Sequence, residues 1–159
     1  MKKLTVLVIV IIALLVFYLC RSTDDTSEIS EVLNQMVEAG EKGMQGDLMD
    51  HVSIEYRDDY GASYLVVKNV VDNFFQKFSN FDTKFNNLAV SLDTSESGDK
   101  TAVANLDIHI IGYRSGAPVD ILGTEDSYQN VTLELKKTKL LGWKITKAEG
   151  FENIIEEGI

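Results

Sequence analysis

Thr101-Ala102-Val103-Ala104-Asn105-Leu106-Asp107-Ile108-His109-Ile110-Ile111-Gly112-Tyr113 is the stretch on which the fold turns. Ala102, Ala104, Leu106, Ile108 and Ile110 repeat with a period of two, which places them on one face of a long β-strand. Val103, Asn105, Asp107, His109, Ile111 and Tyr113 occupy the other face. The uniformly apolar set is the natural core face. The same period runs outward in both directions. Before it, from Asp82 on, Leu88, Val90 and Leu92 alternate with polar or small residues, and residues 95–99 form a turn at Gly98. After it, residues 114–127 hold Gly116, Pro118 and Gly123 and predict a long loop. Val131, Leu133 and Leu135 then mark a strand, residues 137–142 a turn, and Trp143, Ile145, Lys147, Glu149 and Phe151 one face of a last strand.

Upstream of residue 82 the rhythm is helical. Ile29, Val32, Leu33, Met36 and Val37 predict an amphipathic helix over residues 28–43, with Ser27 as its cap and Gly40 and Gly43 at its exit. A short helix is predicted from Asp47, with Leu48 and Val52 inward. Residues 54–60 read as a short strand or extended corner ending at Gly61. Ser63 opens a third helix carrying Val67, Val70, Val71, Phe74, Phe75 and Phe78, which ends at Ser79 and Asn80. Helices followed by a strand meander mean an α+β domain with its helices on one face of an antiparallel sheet.

Residues 4–20 are a 17-residue run without charge, polar only at Thr5, near the lower limit for a membrane-spanning helix. Phe17, Tyr18 and Leu19 are too large for a signal-peptidase site, which makes an uncleaved signal anchor the leading expectation. The alternative is a lipoprotein attached through Cys20, which Phe17-Tyr18-Leu19-Cys20 matches only through Leu and Cys. Lys2 and Lys3 precede the run, whereas Arg21 is followed by Asp24, Asp25, Glu28 and Glu31. The positive-inside rule then predicts a single-pass protein of a cytoplasmic (inner) membrane, in a bacterium-like cell. Its N-terminus is cytoplasmic and its body extracytoplasmic or periplasmic. The organisation expected is an anchor over 1–20, a tether over 21–27 and a domain over 28–159.

The chain has 159 residues, a formal charge of −10 and a mean hydropathy of −0.02. Residues 21–159 carry 13 positive against 25 negative charges, so a broad nucleic-acid-binding surface is excluded. The single cysteine excludes an internal disulfide framework and a multi-cysteine zinc site. No phosphate loop, Gly-x-Ser-x-Gly elbow or Cys-His pair is present, and no cofactor or metal is expected. His51 and Glu55 stand four apart, a spacing metal ligands use, without a third ligand beside them. The acid-rich residues 120–126 lack calcium-loop spacing. Lys136, Lys137 and Lys139 form the only basic cluster, at a hairpin end.

Three segments together resemble the nuclear transport factor 2-like, or SnoaL-like, superfamily over residues 28–151. They are Glu38-Ala39-Gly40-Glu41-Lys42-Gly43, then Gly46-Asp47-Leu48-Met49-Asp50-His51-Val52-Ser53, then Tyr56-Arg57-Asp58-Asp59-Tyr60-Gly61. The closing Gly142-Trp143-Lys144-Ile145 is similar too. The resemblance implies a curved antiparallel sheet packed on three N-terminal helices, with a conical pocket, here preceded by one transmembrane helix. It implies no single reaction, because the fold hosts isomerases, cyclases, dehydratases, transport adaptors and assembly factors. An enzyme of this kind would use a carboxylate base with a buried Tyr or acid for an oxyanion. The weak catalytic candidates are Asp58, Asp59, Asp107, His109 and Tyr56. If the face bearing Asn105, Asp107, His109 and Tyr113 turned inward, those four would converge. If it turned outward, Asp107 and His109 would be solvated, or paired across the strand with Lys136 and Glu134.

The pocket-lining residues expected are Phe74, Phe78, Tyr113 and Trp143. The leading expectation is a non-catalytic, membrane-anchored domain that binds a small apolar ligand or a protein partner. An assembly module of a membrane complex, like those of type IV secretion, is the alternative, with a homodimer left open. A small-molecule isomerase or dehydratase using a pocket carboxylate is the third reading.

Overall fold

The computed structural model describes residues 24–96 and 98–151. The expected span over 4–20, Cys20 and the start of the tether lie outside them. Three helices come first: α1 (Asp25–Glu41), α2 (Gln45–Asp50) and α3 (Tyr64–Lys77). Five strands follow: β1 (Phe81–Thr94), β2 (Lys100–Arg114), β3 (Ala117–Leu122), β4 (Gln129–Thr138) and β5 (Gly142–Glu149). The chain is α+β, as the change of period demands.

α1 starts at Asp25, so Ser27 lies inside the helix and Asp24 stands at the cap position. Asp25 and Glu28 sit at its positive end, where carboxylates are favoured. Ile29 and Leu33 bury its apolar stripe in the core. Residues 54–60 form no strand. They follow the edge of β5 as a pinned turn: the Ser53 amide donates to Ile145 O (2.8 Å), and the Arg57 amide to Thr146 O (3.0 Å).

β1, β2, β4 and β5 lie side by side in that order, all neighbours antiparallel. β4 pairs with residues 101–108 of β2, and β3 with residues 110–114, so β3 extends the sheet beyond the end of β4. The predicted long loop after residue 113 is therefore a hairpin, turned by Ser115 and Gly116, both at positive φ. The conical closure implied by the resemblance is corrected here: the sheet is open, ending at β1 and β5. Among the described residues no helix is long and apolar enough to cross a membrane, and the transmembrane helix expected over residues 4–20 lies outside them.

Three bulges interrupt the ladder. In β1 the register slips between Asn86 and Ala89, with Asn87 at φ 53°. One extra residue there swaps the faces, so Phe81, Thr83 and Phe85 point to the helices before it and Leu88 and Val90 after it. A second slip lies at Ile110/Ile111, opposite β3, and a third at Glu134/Leu135, opposite β5. The third divides the face expected to be shared along β5. Trp143 and Ile145 are buried, whereas Lys147 pairs with Glu149, Glu134 and Asp59 outside.

Candidate functional site

The helices do not pack flush on the sheet. Between them lies a cavity of about 290 Å³. α1 contributes Leu33, Met36 and Val37; α3 contributes its valines with Phe74 and Phe75; Phe85, Leu106, Ile108 and Leu133 form the sheet wall. α3 is thus valine-rich because its inner surface must be apolar along its length, and burial overrides the weak helix preference of valine. Among the described lining residues only Tyr56 and Thr83 have polar side chains, and of these Tyr56 alone is ionisable.

Tyr56 is 5% exposed. Its hydroxyl donates to Asp58 Oδ2 at 3.4 Å. Burial, reinforced by the Asp58 charge, pushes its pKa up to about 12, so it stays a neutral donor at physiological pH. Asp58 is itself buried, and its other oxygen accepts from the amides of Tyr60 (3.0 Å) and Ala62 (2.8 Å). The carboxylate therefore closes the turn before α3 and holds the phenol from behind. This local hydrogen bonding is what Asp does at a turn.

The other predicted residues are dispersed. Asp59 is exposed and bonds Lys147 at 2.8 Å; this hydrogen bond and that to Glu149 raise the lysine above its usual range. Asp107 and His109 lie on the sheet face away from the cavity, and neither has the cross-strand partner expected. Asp107 accepts from Asn130 (2.9 Å) and Asn87 (2.7 Å), which together lower its carboxyl below the ordinary value. His109 is 2% exposed, with Nε2 2.7 Å from Asp120 Oδ1 and its ring edge-on to Tyr128. Lys136 faces Thr101, and Glu134 faces Val103.

Phe74 lines the cavity; Phe78 stacks behind it and packs on Phe81 at a separate hollow. Tyr113 is outside the lining, and its carbonyl accepts from the Ser79 amide. Trp143 fills the core beside the cavity, 2% exposed, and its Nε1 finds no partner among the described residues. His51 closes α2, and burial lowers its pKa; Glu55 is exposed in the next turn. Among the described residues no three His, Cys, Asp or Glu side chains are placed to hold a metal.

Among solved structures, a candidate aromatic ring hydroxylase from Novosphingobium aromaticivorans is similar with a TM-score of 0.61 at 18% identity, over 82% of this chain and 96% of that one. A candidate dehydratase from Streptomyces avermitilis gives 0.60 at 14% identity, over 78% and 92% of the two chains. A nuclear transport factor 2-like superfamily protein from Salmonella enterica gives 0.56 at 17% identity, over 78% and 87%. The fold is nuclear transport factor 2-like. No family model and no curated protein matches the sequence. The expectation of a non-catalytic domain meets a correction here: solved structures similar to this one are named as a candidate aromatic ring hydroxylase, a candidate scytalone dehydratase and a candidate dehydratase.

Proposed function

We propose that the domain is a small-molecule enzyme of the isomerase or dehydratase class, acting on a compact, largely hydrocarbon substrate held between helices and sheet. The observation that carries this reading is Tyr56, the one ionisable side chain among the described residues lining a largely apolar cavity, with Asp58 behind it. An apolar cavity excludes water, and a neutral phenol at its wall donates to a carbonyl or developing oxyanion once its single hydrogen swings from Asp58 to the substrate. Asp58 orients the phenol and stands as the nearby carboxylate. The names of the dehydratase and hydroxylase neighbours support the same class. We propose further that residues 4–20 anchor this domain to a membrane, with the body extracytoplasmic; the support is the uncharged run and the lysines before it.

The test is turnover of a panel of cyclic β-hydroxy ketones by the full chain, followed through the absorbance of the conjugated product. Tyr56→Phe should lower kcat/KM by about 10²-fold or more while leaving the fold intact. Binding of such ligands with no turnover above a buffer control rejects the reading.

A further inference from the structure

The strongest feature the cavity does not explain is the β4–β5 turn. Leu140 is 94% exposed and Leu141 69%, side by side at its tip. The tip is built rather than frayed. The Leu141 amide donates to Thr138 Oγ1 (3.1 Å), that hydroxyl donates to Gly142 O (3.1 Å), and Gly142 supplies the positive φ the turn needs. Lysines surround it. Lys137 is engaged by Asp25 and Glu28, and Lys144 by the Asp50 carbonyl. Lys136 and Lys139 are exposed and make no ion pair among the described residues. Two leucines presented on a fixed turn beside free lysines fit a surface that is apolar below and negative above, the description of an anionic bilayer interface.

The start of the domain points to the same surface. Asp25, at the head of α1, bonds Lys137 (2.8 Å) at the base of this hairpin and Lys100 (2.5 Å) on the adjacent strand. Residue 25 is five positions beyond Cys20, where the apolar run of residues 4–20 ends. An extended chain of that length reaches at most about 18 Å. A bilayer holding residues 4–20 therefore lies within a short reach of the turn. The neighbouring β1–β2 tip carries Asp93, Glu96 and Asp99, so of the two tips at this end of the sheet only the β4–β5 one joins lysines to paired exposed leucines.

We infer that residues 138–142 form a membrane-contacting tip, whose Leu140 and Leu141 enter the interface of an anionic bilayer while Lys136 and Lys139 meet its headgroups. This rests on the membrane placement of residues 4–20 proposed above. The contact fixes how the domain stands on the membrane, with the repelled acidic body held away from it.

The experiment uses the full chain reconstituted into phosphatidylglycerol vesicles containing acyl-brominated lipid, in a Cys20→Ser background. An environment-sensitive fluorophore is placed on Leu140→Cys. In a control it is placed on Ser115→Cys, at the opposite end of β2, about 45 Å away by strand rise. Roughly twofold quenching at position 140, with none at 115, is expected. Lys136→Glu with Lys139→Glu should weaken the quenching on phosphatidylglycerol but not on phosphatidylcholine. Flotation is scored separately. A chain that does not float with vesicles overturns the membrane placement and this inference together. A chain that floats with an unquenched label overturns the inference alone. Shielding of position 140 that rises with protein concentration in lipid-free buffer also overturns it, because the occupant is then a second copy.

Discussion

The two faces of β2 make opposite use of similar strand geometry. Toward the helices, Ala102, Ala104 and Leu106 are buried, and Ile108 and Ile110 border an apolar cavity. On the reverse face, Asn105 accepts from Thr132, Asp107 from Asn87 and Asn130, and His109 meets Asp120. The residues that look most catalytic by type are on the reverse face, satisfied by one another. The cavity face holds almost none of that chemistry, and the single ionisable side chain that the described residues bring to it comes from a turn against the edge of β5. Residue type alone is a poor guide to a site when the sheet decides which side faces the void.

The contrast can be broken in graded ways. Leu106→Ala on the cavity face should cost about 2–5 kcal/mol in urea unfolding, whereas Val103→Ala on the reverse face should stay within about 0.5 kcal/mol. Equal costs would mean the core faces are misassigned. Asp58→Ala leaves the Tyr60 and Ala62 amides without their acceptor and should cost about 1–2 kcal/mol by the same measurement. The pH dependence of Tyr56 sharpens the comparison further. Its folded pKa of about 12 lies above the ordinary tyrosine value, so the folded state holds the proton more tightly. Its contribution is complete below pH 10 and declines as pH rises from 10 through 12, and Tyr56→Phe should remove that part of the alkaline loss. Asp107→Ala, on the reverse face, removes the acceptor of Asn130 and Asn87 and should lower the urea midpoint only slightly while leaving any turnover intact.

Element types were legible where a period persisted over many residues: α1, α3, and the strands built on Ala102–Ile110 and Val131–Leu135 alternation. Residues 54–60 alternate loosely, but their backbone is committed to the edge of β5, a partner far away in sequence. β3 was hidden because Gly116 and Pro118 read as breakers, although they sit where a hairpin turns and its strand begins. Of the site, Tyr56 and Phe74 could be named from the sequence; Trp143 could not be separated from core, since a large apolar ring serves a wall and a filled interior alike. The closer signal was Phe81-x-Thr83-x-Phe85, an alternation that puts all three side chains on the cavity side.

The sequence alone determined the change from helices to strands, the acidic balance, and which face of the longest strand must leave water, because each follows from local period and composition. The tertiary structure decided the rest: three bulges that exchange faces within strands, a sheet that stays open, and a turn pinned to an edge so that one phenol meets the cavity. Those features depend on registers between distant segments, where a shift of one residue reverses which side chains share a face.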